Sequence, residues 1–413
     1  KELPLGTEHR PGARFVQSED IPEAGAHGCT TNGSARLVTH DPARAETLAA
    51  RLAAALCFGS ALALMYLTAR RFETVSERQA LGLTALFGFC SLQLPTHVSG
   101  LASHGAAVPF VLAALFALTS PRVQGPAVAG LLLVAAYVMR PTAGVLLPLV
   151  ASWLWFERRR ALWGFIAAVL VLGAGVAWMN MSLYGHAVPP YNRVTRLVLA
   201  GLPVGLLGNL VSPSRGLLWY CPWCLVSAVG GALALSRRGV PSFFRLLASA
   251  FVVHLAVVSC FPQWWAGWCY GPRFLAEMMP ELVLLLIPAL AVLKLASARL
   301  RRNATRAFAA TIGYSFLVAI LGTTHSGGYW NEHPNNVDRH PEHLWTVIQN
   351  TCGMSQIPKS CGRCASLSPP ASPVERCARV GDGARVVRCV DLYAASMPKT
   401  RRYARRTFSV TSR

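Results

Sequence analysis

Tyr270, Arg273 and Glu277 close the stretch CFPQWWAGWCYGPRFLAEMMP, residues 260–280, which also holds Trp264, Trp265 and Trp268. A tyrosine and an arginine three residues apart are groups that can hold a phosphate, and tryptophan faces suit the apolar face of a sugar ring or a prenyl chain. The tryptophans taken alone are equally an interfacial aromatic belt. Glu277 falls at the mouth of the next helix, where it either gains from the helix dipole as a capping acid or pairs with Arg273. Two more arginines stand apart from any basic cluster. Arg140, in YVMRPTAG, lies between apolar stretches and must face protein, water or an anion, unless it snorkels to an interface. Pro141 behind it breaks the helix and suits a functional discontinuity. Arg215, in SPSRG, has the serine and glycine neighbours of a turn whose backbone N–H groups and guanidinium can hold a phosphate; a plain loop arginine is the alternative. Farther on, Trp330, Asn331, His333, Asp338, Arg339, His340 and Trp345 form a polar segment suited to hydrogen bonding with a hydroxyl-rich ligand, or a ligand-free surface loop.

These residues must be positioned by apolar helices. Of 413 residues 53% are hydrophobic and 14% charged, and the mean hydropathy is +0.39, where a soluble chain carries about a quarter charged residues. Apolar runs predict ten spans, at roughly 48–69, 80–94, 105–119, 124–139, 141–156, 161–181, 216–236, 246–262, 279–297 and 307–323. The expected class is an all-α polytopic membrane protein. The net charge of +21 is not a nucleic-acid footprint, because the arginines sit in short clusters beside the apolar runs: Arg70–Arg71, Arg158–Arg160, Arg237–Arg238 and Arg299–Arg302 with Arg306. With the loop after the first span (RRFETVSER, 70–78) taken as cytoplasmic, strict alternation puts the loops near 120–124, 157–160, 237–245 and 298–306 on that side too, and 95–104, 182–215 and 262–278 on the other. Asn303-Ala-Thr305 falls in one of the cytoplasmic loops and carries no weight as a sequon.

The twelve cysteines give no disulfide framework. Cys57, Cys90 and Cys260 read as small apolar residues of the spans, and Cys361-Gly-Arg-Cys364 lacks a second ligand pair at zinc spacing. Residues 1–45 are polar and show no cleavable signal peptide. The expected organisation is an outer-face segment over 1–45, a transmembrane domain over 46–323, an outer-face polar segment over 324–350 and a basic tail, expected to be disordered, over 351–413.

SPSRGLLWYCP, WWAGWCYGPRFLAEMMP and WNEHPNNVDRHPEHLW, in this order, resemble bacterial integral-membrane glycosyltransferases of the GT-C fold, in particular the protein O-mannosyltransferases and lipid A sugar transferases. SGLASHGAAVPFVLAAL and MRPTAG fit the same pattern, and the resemblance runs from about residue 46 to 349. It implies a GT-C-like helical bundle in the cell (inner) membrane, moving a sugar from a polyprenyl-phosphate donor to a cell-envelope acceptor (lipid, glycan or protein) at the outer face. It implies an inverting reaction, with a carboxylate base on the acceptor hydroxyl and basic residues on the leaving phosphate. A divalent cation accompanies some members, and no other cofactor is implied.

Carried over by position, Arg215 and Arg273 become phosphate-binding candidates, Tyr270, Trp264 and Trp268 line the donor pocket, and Glu277 matches an acidic position. Arg140 and Asp338 join them as substrate-binding candidates. The family keeps its key acid in the first outer loop, after a first transmembrane helix. This chain reads as lacking that helix, with residues 1–45 as the expected remnant of the loop. Asp20, in SEDIPEAG, and Asp41, in THDPARAE, are then the stand-in catalytic acids of what is expected to be a truncated or inactive relative. The rival expectations are a transporter or flippase of a lipid-linked or small solute, against which no inverted repeat is visible, and a non-catalytic membrane scaffold.

Overall fold

The computed structural model describes residues 42–98, 102–189, 197–267 and 269–324. Helix accounts for 79% of them, and no strand occurs among the described residues. In chain order the helices are α1 (Pro42–Arg70), α2 (Glu77–Phe89), α3 (Gln93–Val98), α4 (Ser103–Leu118), α5 (Gly125–Met139), α6 (Leu146–Glu157), α7 (Arg159–Tyr184) and α8 (Leu202–Val211). They are followed by α9 (Leu217–Tyr220), α10 (Cys224–Ser236), α11 (Ser242–Ser259), α12 (Met279–Leu284), α13 (Leu286–Leu295) and α14 (Ala298–Leu321). Two 3-10 segments matter for the site, Pro141–Val145 and Arg273–Met278.

Each expected span is covered by helix, but among the described residues five stretches are long and apolar enough to cross a membrane: Glu46–Arg70, Arg159–Tyr184, Ser242–Ser259, Arg273–Leu295 and Ala298–Leu321. The others fall short because they are interrupted. A bilayer core needs about 20 helical residues, whereas α4 and α5 have 16 and 15. Proline 141 ends α5, and the chain re-enters helix through a 3-10 turn before α6. Two boundaries differ from expectation. The region 182–215 contains helix α8, and the arginine cluster at 299–306 is the first turns of α14 rather than a loop. Asn303 is therefore helical.

The side chains sort the helix ends into two groups. At one end, the Arg71 guanidinium lies 4.5 Å from the Phe116 ring, Arg158 donates to the Ser120 carbonyl at 2.8 Å, and Trp153 Nε1 donates to Ser242 at 3.1 Å. This gathers the segments near 71, 120, 157 and 242, which alternation placed on the cytoplasmic side. At the other end, Gln93 Nε2 donates to the Ala276 carbonyl at 2.5 Å, Val198 N–H to the Cys260 carbonyl at 2.8 Å and Tyr270 to the Val318 carbonyl at 2.5 Å.

Packing between the ends relies on small residues. A Cβ on Gly230 of α10 would overlap the Leu285 carbonyl oxygen, so glycine there lets α10 lie directly on the α12–α13 junction. α2 begins with a complete capping box: Ser76 Oγ accepts from Gln79 N–H at 3.3 Å, and Gln79 Oε1 accepts from Ser76 N–H at 3.0 Å. Ser76→Ala should cost about 1 kcal/mol, read as a lower thermal midpoint in detergent. An unchanged midpoint would remove the cap as a stabilising contact.

Candidate functional site

Two buried polar groups meet along residues 266–277. The first is built on the break after α5. A residue before proline is pushed out of helical dihedrals, and Arg140 is extended (φ −149, ψ 111), capping α5 through its own N–H on Ala136. That geometry turns its side chain into the bundle, where it is 9% exposed. Its Nε lies 3.3 Å from Glu277 Oε1 and its guanidinium 5.2 Å from the centre of the Phe274 ring. Thr142 Oγ1 donates to the same Glu277 oxygen at 2.8 Å, and His104 Nδ1, on the first turn of α4, lies 3.1 Å away and donates in that tautomer. The second oxygen, Oε2, is buried with no hydrogen-bond partner among the described residues.

This arrangement settles what sequence left open for two residues. Arg140 faces protein rather than snorkelling to an interface. Glu277 does not cap a helix: it lies inside the 3-10 turn Arg273–Met278, 1% exposed, and its ion pair among the described residues is with Arg140 rather than Arg273. The reason is direction. The 3-10 turn aims Glu277 inward, while the Arg273 Nη2 reaches back to the Ala266 carbonyl at 2.8 Å.

The second group surrounds that carbonyl. Arg215 is 2% exposed, and its Nη2 lies 3.4 Å from the Gly267 carbonyl. Two guanidinium groups thus approach consecutive carbonyls of one turn, whose residues Ala266 (φ 67) and Gly267 (φ 61) are both left-handed. Left-handed geometry costs an alanine about 1–2 kcal/mol, so the grip must exceed that strain. Two guanidinium groups aimed at adjacent acceptors of one turn bring together donors of the kind that suit a phosphate.

The wall of this site is aromatic. Tyr220 donates to the Ser214 carbonyl at 2.8 Å and meets the Tyr270 ring edge to face, centroids 5.1 Å apart. Burial pushes the Tyr270 phenol above its usual range, so it stays a donor, committed to Val318. Trp264 is 7% exposed; its ring covers Gly208 of α8 and meets Trp265 at 86°. This is a packed position rather than an interface belt.

Of the sequence candidates, the structure brings Arg140 together with Glu277, and Arg215 with Arg273, Tyr270 and the Ala266–Gly267 turn. Asp20, Asp41, Trp268 and Asp338 lie outside the described residues. Four polar residues of this region escaped sequence reasoning. His104 and Thr142 complete the Glu277 cluster, and His254 of α11 holds its Nε2 3.2 Å from the Phe274 carbonyl. Glu281 of α12 is wholly buried, with neither oxygen hydrogen-bonded among the described residues. The available signal was a polar residue inside an apolar run, which is expensive and so functional by default. No group of three or more His, Cys, Asp or Glu side chains able to hold a metal occurs among the described residues. The chain matches no family model, no curated protein and no solved structure.

Proposed function

We propose that the chain is a membrane glycosyltransferase of GT-C type, moving a sugar from a polyprenyl-phosphate donor to a cell-envelope acceptor at the outer face of the cell membrane. The observation that carries this reading is the approach of Arg215 and Arg273 to adjacent carbonyls beside buried Tyr220 and Trp264 and half-buried Tyr270. A lipid phosphate exchanges those carbonyls for phosphate oxygens, and the aromatic wall takes the apolar parts of donor or sugar.

In the reaction the acceptor oxygen attacks the anomeric carbon, the bond from that carbon to the phosphate oxygen breaks, and the lipid phosphate leaves carrying the electron pair. Arg215 and Arg273 stabilise its charge; Arg140, Thr142 and His104 fix Glu277, and through the 3-10 turn they fix Arg273. The proton of the acceptor goes to a carboxylate, for which Asp20 and Asp41 are the sequence candidates.

One observation favours the transporter instead. Glu277 Oε2, Glu281 and His254 Nδ1 are buried without hydrogen-bond partners among the described residues, and chains of such groups carry protons in membrane carriers. Membranes containing the protein and a radiolabelled polyprenyl-phosphate sugar separate the two. Transfer that falls about 100- to 1,000-fold in Arg273→Ala supports the enzyme. Absence of transfer with solute uptake intact overturns it.

A further inference from the structure

Between Arg215 and α10 the chain reads Tyr220-Cys-Pro-Trp-Cys224, a second Cys-x-x-Cys spacing, here inside the folded bundle rather than in the tail. Its four residues form a tight turn: Cys224 N–H donates to the Cys221 carbonyl at 2.9 Å, with Pro222 at the position its fixed φ favours. Such turns hold their first and last Cα within about 7 Å, which overlaps the window of about 4.4–6.8 Å that a disulfide spans. Trp223, wholly buried, pins the turn by donating its indole N–H to the Cys90 carbonyl at 2.8 Å. Cys224 opens α10, so the pair lies where the turn meets the helix.

We propose that Cys221 and Cys224 are a reversible dithiol–disulfide pair whose oxidant is a lipid-soluble quinone. Each thiol gives up one hydrogen, the S–S bond forms, and the quinone takes two electrons and two protons to become the quinol. Three features of the surroundings select that oxidant and that outcome. The thiols are 1% and 4% exposed, and Leu225 beside Cys224 lies on the outside of the bundle at 57%, so an apolar reagent approaches where a polar one does not. The turn lies at the end of the bundle that holds Arg215 and residues 260–278, expected on the non-cytoplasmic side, where thiols oxidise. Closing so short a loop constrains the unfolded chain little, which keeps the bond reducible. Tyr220 precedes Cys221 and stacks on Tyr270, so the state of the pair reaches the aromatic wall of the arginine site. The inference does not depend on which ligand that site takes.

The whole chain suits the test, because the tryptic peptide spanning 216–237 contains both cysteines and no other. Membranes are exposed to a short-chain ubiquinone, denatured, alkylated with N-ethylmaleimide and digested. The expected peptide is two hydrogens lighter and unalkylated, returns to the doubly alkylated form after dithiothreitol, and appears with one quinol per bond. Cys221→Ser and Cys224→Ser each abolish closure and quinol formation, and Cys90→Ser retains both. Full alkylation after quinone treatment, or a peptide cross-linked through Cys90, overturns the proposal.

Discussion

Replacing Arg140 with alanine is expected to be among the most damaging single changes in the molecule, costing about 3–5 kcal/mol. The penalty comes from what remains. Glu277 would stay 1% exposed, with Thr142 and His104 as its contacts on one oxygen and nothing offsetting its charge. Glu277→Gln should cost less, because an amide oxygen still accepts from Thr142 and the uncharged side chain leaves Arg140 with Phe274 to lie over. The double replacement Arg140→Met with Glu277→Leu should recover most of the loss, since apolar side chains of similar volume often equal a buried ion pair. Thermal midpoints in detergent read the series, with Arg140→Ala lowest and the double variant near the parent. A cost under about 1 kcal/mol for Arg140→Ala would place the pair among exposed ones and sink the assignment.

Half of that cluster could be read from the sequence, and the missing half shows where such reading stops. Arg140 and Pro141 advertise themselves locally: a cation and a helix breaker between apolar runs. Glu277 is conspicuous for the same reason. Their pairing is not local, since 137 residues separate them, and the nearer arginine, Arg273, was the natural partner until the 3-10 turn sent the two side chains different ways. His104 and Thr142 lie inside the stretches SGLASHGAAVPFVLAAL and MRPTAG, but their part in the cluster becomes visible once α4, α5 and residues 273–278 are packed together. Helix existence was similarly legible, because each apolar run is helical. The break at Pro141 was legible too, since the expected spans 124–139 and 141–156 part there, whereas the turn at Leu285 divides a run that hydropathy alone joins. Of the arginine clusters, the contacts of Arg71 and Arg158 bring the segments near 71, 120 and 157 to one end of the bundle, whereas the cluster at 299–306 is helical.

The second large effect is expected at Gly271, where replacement by alanine should cost about 2–5 kcal/mol by adding two penalties. Gly271 has φ 64, left-handed, which costs an alanine about 1–2 kcal/mol. A Cβ there would also lie 2.9 Å from the Tyr220 ring and 3.3 Å from Leu92, overpacking worth about 1–3 kcal/mol. Tyr220 cannot easily yield, because its hydroxyl is bound to Ser214 and its ring to Tyr270. Ala266→Gly, five residues earlier in the same loop, should have the opposite sign. It relieves the left-handed strain of Ala266, and the entropy that glycine adds to the unfolded chain, about 0.4–1 kcal/mol, offsets part of the gain. The two variants separate stability from site geometry. Gly271→Ala displaces Tyr220 and, two residues on, Arg273, so binding of a polyprenyl phosphate should weaken along with the fold. Ala266→Gly leaves both arginines their carbonyls and should keep binding while raising the thermal midpoint. Equal losses in both variants would mean that the loop merely connects α11 to α12. Opposite shifts in midpoint, with binding lost only in Gly271→Ala, would tie the left-handed turn to the placement of the two guanidinium groups.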